Sequence, residues 1–368
     1  MQLHVATAPR SLHVASAQDA LAPVGMTIEQ GTIMSKLPLT VACWDYDRTR
    51  ALMDGRVKVE GCDMNYLPLA VEETFFRAFK SAEFDVCELS FSTYLLSLSR
   101  ERDSGIPLPY RAVPAFVSRV FRHSGIYIRT DRGIRTPADL KGKTVGVPEY
   151  QMTAAVWIRG ILEHEYGVPT ASMSWRNGGI EEPGRTEKVP FTLPPSIHLE
   201  PIGPGKTLNA MLEAGELDAI VSARAPSCLG RSPNVARLFP DFRAAEKEYF
   251  KKTGIFPMMH VVGIRKSLVD AHPWLATSVY KAFLQAKDLA YPDLIQMAAL
   301  KIALPWLGQE VQDTIALMGR DFWAYGAKEN KTALEAFLQY HYEQGLSGKK
   351  KFAMNDIFIP STLEISRL

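Results

Sequence analysis

Residues 137–160 read PADLKGKTVGVPEYQMTAAVWIRG, and three local signals follow one another along them. Pro137 suits the first turn of a helix, where its fixed φ is already helical and its missing N–H would be unpaired anyway. Gly142 ends that turn, and Thr144-Val145-Gly146-Val147 is a short apolar run of the kind that fills a buried strand. Beyond Glu149-Tyr150-Gln151-Met152-Thr153, the residues Ala155, Val156, Ile158, Ile161 and Leu162 follow helical spacing. Strand, turn and helix in this order leave free backbone N–H groups at the helix start, a ready cradle for an anion. The stretch predicts a βα unit of an α/β protein.

Outward from this unit, LPLTVAC (37–43) reads as a buried strand and Trp44-Asp45-Tyr46-Asp47-Arg48-Thr49 as a polar turn. A short helix follows, then a strand around a glycine turn in VKVEG and CDMNYLPL. Val71, Phe75 and Phe79 recur every four residues and mark a helix with one apolar face. Phe84–Leu89 returns to strand. KSAEFDVCEL (80–89) and EAGELDAIVS (213–222) share a plan: helix end, Glu, an apolar residue, Asp, strand. Gly215 supplies the left-handed helix stop in the second copy. The echo suggests two lobes built alike. Residues 176–206, dense in Gly and Pro, predict a long loop, which in compact domains is usually functional or disordered. From Trp274 onward helical spacing dominates, through FLQAK, LIQMAALKIAL and TALEAFLQYHY. The chain is expected to cross between lobes near Phe116–Ile128 and to return near Phe256–Ile264. This gives a flexible extension at 1–36, lobe I from 37–122 with 257–368, and lobe II from 123–256.

Composition narrows the function classes. At 368 residues, 46% hydrophobic, 22% charged and a net charge of +2, the chain holds about two domains and is not fibrous or disordered. A dedicated nucleic-acid binder would carry a basic face, and Lys349-Lys350-Lys351 reads as solvated surface. Four cysteines (Cys43, Cys62, Cys87, Cys228) with no CxxC pair suit a reducing cytoplasm. The first 35 residues lack a secretory apolar stretch, because Gln18 and Asp19 interrupt the candidate. No run of about 18 apolar residues is present to span a bilayer. The expectation is a cytoplasmic protein without membrane or nucleic-acid partners, its assembly into homo-oligomers left open.

The βα unit and the echo together resemble the type 2 periplasmic-binding-protein fold. Further stretches resemble the 4,5-dihydroxyphthalate decarboxylase family: WDYDRT (44–49), FDVCELSFSTY (84–94), SRVFRHSGI (118–126) and VGVPEYQMTAAVWIRG (145–160), with WRNGGIEEPGR (175–185), RLFPD (237–241), TGIFPMMH (253–260), HPW (272–274) and DFWAYG (321–326). The resemblance runs from about Leu37 to Tyr342. It implies an α/β, two-lobed fold with two crossover strands and a helical C-terminal part. It also implies a cytoplasmic enzyme of phthalate breakdown that converts 4,5-dihydroxyphthalate to protocatechuate and carbon dioxide.

Such a reaction needs an acid near the ring carbon, an acceptor at the phenol and an anchor for the second carboxylate. A hydroxyl para to the departing group donates the electron density that lets the carbon take a proton. No organic cofactor is expected, and neither a Walker loop nor a GxGxxG after a strand is present. His123 and His260, one in each crossover, are the acid/base candidates, since imidazole exchanges protons near neutrality. Asp45, Asp47, Glu88 and Glu149 lie at predicted strand ends, where open α/β folds present ligand groups. Of these, Asp45 or Glu149 is placed to take the phenolic proton or to orient a histidine, Asp47 reads equally as a helix N-cap, and Glu88 reads equally as a surface residue. Arg48, Arg122 and Arg185 suit the carboxylates, because guanidinium matches a carboxylate with two parallel hydrogen bonds. Arg185 sits in the glycine-rich loop, which has the length of a lid. Ser90, Tyr150, Gln151 and Thr153 are expected around the anion. Two histidines and carboxylates allow a divalent metal, but no HxH or HExxH spacing calls for one.

The main alternative is a non-catalytic solute-binding protein for a small aromatic carboxylate, with the same fold and cleft. A ligand-sensing or biosynthetic enzyme on that scaffold is a third reading.

Overall fold

The computed structural model describes residues 35–365, so the expected extension at 1–36 lies almost wholly outside the described residues. Among the described residues the strands are β1 (Leu37–Ala42), β2 (Cys62–Leu67), β3 (Val86–Ser90), β4 (Tyr110–Arg119), β5 (Ile126–Arg129), β6 (Thr144–Val147), β7 (Ser174–Asn177), β8 (His198–Pro201), β9 (Ala219–Val221), β10 (Val235–Arg237) and β11 (Met258–Arg265). The helices are α1 (Arg50–Met53), α2 (Val71–Ser81), α3 (Phe91–Ser104), α4 (Thr153–Tyr166), α5 (Leu208–Ala214), α6 (Phe242–Thr253), α7 (Lys266–Ala271), α8 (Leu275–Asp288), α9 (Tyr291–Ile295), α10 (Leu307–Met318) and α11 (Lys331–Glu343).

Two sheets result, ordered β2-β1-β3-β11-β4 and β10-β5-β9-β6-β7-β8. They share one plan. Three parallel strands stand in the spatial order second, first, third, as β2-β1-β3 in one sheet and β7-β6-β9 in the other. An antiparallel strand then enters, β11 beside β3 and β5 beside β9, and it pairs on its far side with β4 or β10. The entering strands are the two crossovers expected from the sequence: β5 follows β4 of the first sheet, and β11 follows β10 of the second. This is the α/β, binding-protein-like architecture, with β8 as an extra edge strand.

The echo at 80–89 and 213–222 has a physical basis. It covers α2 into β3 and α5 into β9, equivalent places in the two sheets. In each copy the aspartate carboxylate accepts the backbone N–H of the neighbouring parallel strand, Asp85 from Thr40 at 2.9 Å and Asp218 from Thr144 at 2.8 Å. A side chain thus pairs a backbone donor beside the point where the ladder to the next strand begins.

Both sheets lead into a 14-residue helix whose start faces the other sheet: β3 into α3, and β6 through a turn into α4. The C-terminal α11 packs against both. Its Phe337 stacks on Phe91 of α3 and on Trp157 of α4, each at 5.0 Å between ring centroids. The Trp157 indole N–H donates to the Met258 carbonyl at 2.8 Å, which fixes α4 against β11. Buried aromatic pairs of this kind hold the helix starts in register.

Three local expectations are corrected. VKVEG forms no strand, and β2 is confined to Cys62–Leu67. The loop expected over 176–206 contains β8, which extends the second sheet beside β7. LIQMAALKIAL is helical only at its first two residues, within α9. Ile295, Met297, Leu300 and Leu304 are all exposed, so a helix there would present no single apolar face to bury, and short helices draw their stability from such faces. No helix among the described residues is long and apolar enough to cross a membrane.

Candidate active site

The site begins with a run of strand that buries a charge. In β3, Val86-Cys87-Glu88-Leu89-Ser90, every residue is buried, Glu88 completely. A carboxylate in such a place requires donors on every side. Glu88 Oε1 lies 2.5 Å from His260 Nδ1 and accepts the Tyr46 hydroxyl at 2.7 Å. Its Oε2 accepts the Trp44 backbone N–H at 3.1 Å and faces the Cys43 thiol at 3.5 Å. Burial pushes the Glu88 carboxyl up, but the charge of His260 and the hydrogen bonds from His260, Tyr46 and Trp44 outweigh it and hold Glu88 below the usual carboxylate range. An ionised Glu88 accepts, so Nδ1 of His260 carries the hydrogen and the ring is fixed in one orientation.

His260 itself sits at an irregularity. In β11 it pairs with Ser90 of β3 and Ser118 of β4, and the register against β4 shifts on both sides of it. Such bulges re-aim a side chain. The ring meets Phe75 of α2 edge-on at 4.8 Å, it is only partly buried, and Nε2 has no partner among the described residues.

The cavity that His260 lines has a volume of about 160 Å³ and lies between the ends of the two sheets. A cavity of roughly 150 Å³ accommodates a benzene ring. Its floor carries hydroxyls: Ser90 Oγ is 3.1 Å from Thr153 Oγ1, Thr93 Oγ1 donates to Ser90 Oγ at 3.1 Å, and the Ser92 backbone N–H donates to Thr153 Oγ1 at 3.0 Å. The starts of α3 and α4 meet at this floor: Ser90, Thr93, Met152, Thr153 and Ala154 line the cavity, and neither cap residue's side chain pairs an amide. Arg122, Arg185, Lys188 and Arg224 line it with two carboxylates, Glu72 and Glu149, an excess of two positive charges. Glu149 is paired with both Arg185 (2.6 Å) and Lys188 (2.5 Å), and Arg185 reaches Glu72 of α2 at 3.3 Å. One guanidinium therefore ties the loop after β7 to the helix packed on β3. The arrangement places an imidazole and an excess of cationic side chains around one cavity.

The chain is 43% identical over 332 residues to a 4,5-dihydroxyphthalate decarboxylase of Comamonas testosteroni, an alignment covering 90% of this chain and 99% of that protein. The chain belongs to the 4,5-dihydroxyphthalate decarboxylase family. A second member, from Pseudomonas putida, is 46% identical over 220 residues, covering 60% of this chain and 83% of its own. No family model matches. Among solved structures, the alkanesulfonate-binding protein SsuA of Xanthomonas axonopodis pv. citri covers 88% of this chain at 13% identity, with a TM-score of 0.47.

Within this decarboxylase-family chain the residues singled out from sequence divide into two groups. Ser90, Arg122, Glu149, Thr153, Arg185 and His260 line the cavity. The others are placed elsewhere. Asp45 pairs with Arg50 at the surface, 3.0 Å apart. Asp47 pairs with Arg48 at 2.9 Å and does not cap α1, whose preceding residue is Thr49. The Arg48 guanidinium lies between the rings of Tyr46 and Trp323, 4.1 Å from each, and lines a separate cavity. Tyr150 and Gln151 turn inward: the Tyr150 hydroxyl donates to the Gln344 carbonyl at 3.3 Å, and the Gln151 amide to the Val189 carbonyl at 2.8 Å. His123 is enclosed by Tyr166, Phe239 and Tyr249, with neither ring nitrogen hydrogen-bonded. Burial pulls its pKa down to about 4.

The anion cradle expected after β6 is filled by the chain itself, since Glu187 accepts the backbone N–H groups of Tyr150 at 2.5 Å and Gln151 at 3.3 Å. The orienting role expected of Asp45 or Glu149 falls geometrically to Glu88. Its signal was present: a carboxylate inside an otherwise apolar strand is rarely buried unless paired. Tyr46, Lys188 and Arg224 gave no comparable sign. Among the described residues no group of three or more His, Cys, Asp and Glu is placed to hold a metal ion.

Proposed function

We propose that this protein removes one carboxylate of 4,5-dihydroxyphthalate as carbon dioxide and releases protocatechuate, in the cytoplasmic breakdown of phthalate. The observation that carries this reading is the Glu88–His260 pair opening onto a ring-sized cavity with two positive charges in excess. A binding protein needs the charges but has no use for a buried carboxylate that fixes an imidazole tautomer. The relatives named above carry this activity in their names.

In the reaction, the protonated His260 gives the proton on Nε2 to the ring carbon that bears the leaving carboxylate, forming the C–H bond. The hydroxyl para to that carbon supplies the electron density, and the ring passes through a dienone-like state. The carbon–carboxylate bond then breaks, its electron pair returns to the ring, and carbon dioxide departs. His260 is left neutral and regains its proton from solvent. The cationic side chains lining the cavity hold the dianion in place.

Purified protein is expected to release carbon dioxide from 4,5-dihydroxyphthalate. His260→Ala is expected to lower kcat by at least about 100-fold with the fold retained by circular dichroism. Tight binding of the dicarboxylate by the wild type with no carbon dioxide released would support the solute-binding reading instead.

A further inference from the structure

We propose that Arg122 anchors the carboxylate that stays on the ring, and that this anchor limits the enzyme to a single decarboxylation. The inference rests on the decarboxylase reading above and extends it to the fate of the product.

Arg122 is 8% exposed, lines the cavity, and forms no ion pair among the described residues. Its Nε contacts the Met259 sulfur at 3.2 Å. Glu246, whose charge acts on it, accepts the Ser124 backbone N–H at 3.1 Å and makes no bond to Arg122. The other cations of the cavity differ. Arg185 and Lys188 are taken by Glu149, and Arg224 is exposed. A buried guanidinium that has no ion-pair partner of its own is costly, and an anion bound in the cavity that Arg122 lines would offset that cost. Burial draws its pKa down to about 10, which leaves it charged at neutral pH. Met259, the residue Arg122 touches, directly precedes His260 in β11, and all three line the same cavity.

The substrate gives this placement its meaning. Its two carboxylates are related by symmetry, and each stands para to a hydroxyl. The product keeps one carboxylate, still para to a hydroxyl, so ring electronics alone permit a second loss of carbon dioxide. A monocarboxylate, however, satisfies Arg122 with its only carboxylate, and the carbon then presented to His260 carries hydrogen. The product is held as a ligand and is not processed.

The test is calorimetric titration of the full chain with 3,4-dihydroxybenzoate and with catechol, beside steady-state kinetics on 4,5-dihydroxyphthalate. The wild type is expected to bind 3,4-dihydroxybenzoate, to release no carbon dioxide from it, and to bind catechol far more weakly. Arg122→Met is expected to weaken 3,4-dihydroxybenzoate binding between about 10- and 100-fold and to raise KM for the substrate similarly. Arg122→Lys, which keeps the charge without the fork, is expected to fall between, and it serves if the methionine variant does not fold. Unchanged product affinity in the folded variants, or conversion of 3,4-dihydroxybenzoate to catechol by the wild type, would overturn the proposal. A wild type that binds the product through Arg122 yet never turns over 4,5-dihydroxyphthalate would remove the decarboxylase reading and the limit on turnover with it, and leave the anchor standing.

Discussion

Two histidines flank the two crossovers, and their surroundings give them opposite characters. His260 keeps one nitrogen on an ionised, buried carboxylate and the other on the cavity. His123 lies 5.1 to 5.9 Å from three aromatic rings with both nitrogens unpaired. Sequence supplied the residue type and the crossover position for both, but the partner that distinguishes them is far away in the chain, Glu88 for one and the aromatic cage for the other. An unpaired buried polar group costs about 1–3 kcal/mol, and an apolar ring of like shape relieves it. His123→Phe is therefore expected to raise stability in denaturant melts at pH 7 by about 1 kcal/mol or more. The pH dependence has a definite sign. With its folded pKa near 4 and an unfolded value near 6.5, His123 takes up a proton in the unfolded chain first. The wild type should lose stability as pH falls from about 6.5 to 4, by on the order of 3 kcal/mol from this residue. The phenylalanine variant should lack that part of the slope. A variant less stable than wild type at pH 7, with an unaltered slope, would contradict the role given to His123.

At the scale of elements, the fold was legible wherever local chemistry settles the matter. Asp85 and Asp218 sit at matching places because each closes the same open donor of a neighbouring strand, and a four-residue pattern is enough to show it. The same comparison exposes a difference. After α5 the left-handed position is Gly215, at φ 79°, whereas after α2 it is Ala82, at φ 49°, alone among the described non-glycine residues in having positive φ. A Cβ costs roughly 1–2 kcal/mol in that region, partly offset by the larger entropy of a glycine in the unfolded chain. Ala82→Gly is expected to stabilise by about 0.5 kcal/mol. Gly215→Ala is expected to destabilise by about 1–2 kcal/mol, since the added methyl also meets the Arg132 guanidinium at 2.9 Å. Thermal melts of the two variants should move in opposite directions, and a shared direction would defeat the equivalence drawn here. What sequence missed at this scale, the end of α9 at Ile295 and the strand β8 inside the loop, depends on which face finds something to pack against.

At the scale of the whole molecule, two sheets of one plan place the starts of α3 and α4 opposite each other, and the cavity is what remains between them. The general plan was readable from the echo and the two crossovers. The interior of the site was readable only in part, because Arg48, Tyr150 and Gln151 stand within motifs that suggest a cleft yet spend their side chains on the core or on a second cavity. Arg185 joins Glu149 to Glu72 at the cavity, so one ion-pair cluster links the loop after β7 to α2. The account as a whole turns on proton delivery to carbon by His260. Its most direct test is to run the reaction in deuterated water and read the ring positions of the product by proton NMR. The account predicts a single deuterium at the ring carbon that lost its carboxylate, at a rate reduced at least about 100-fold by His260→Ala. Product formed by that variant at the wild-type rate, with the same label, would contradict it.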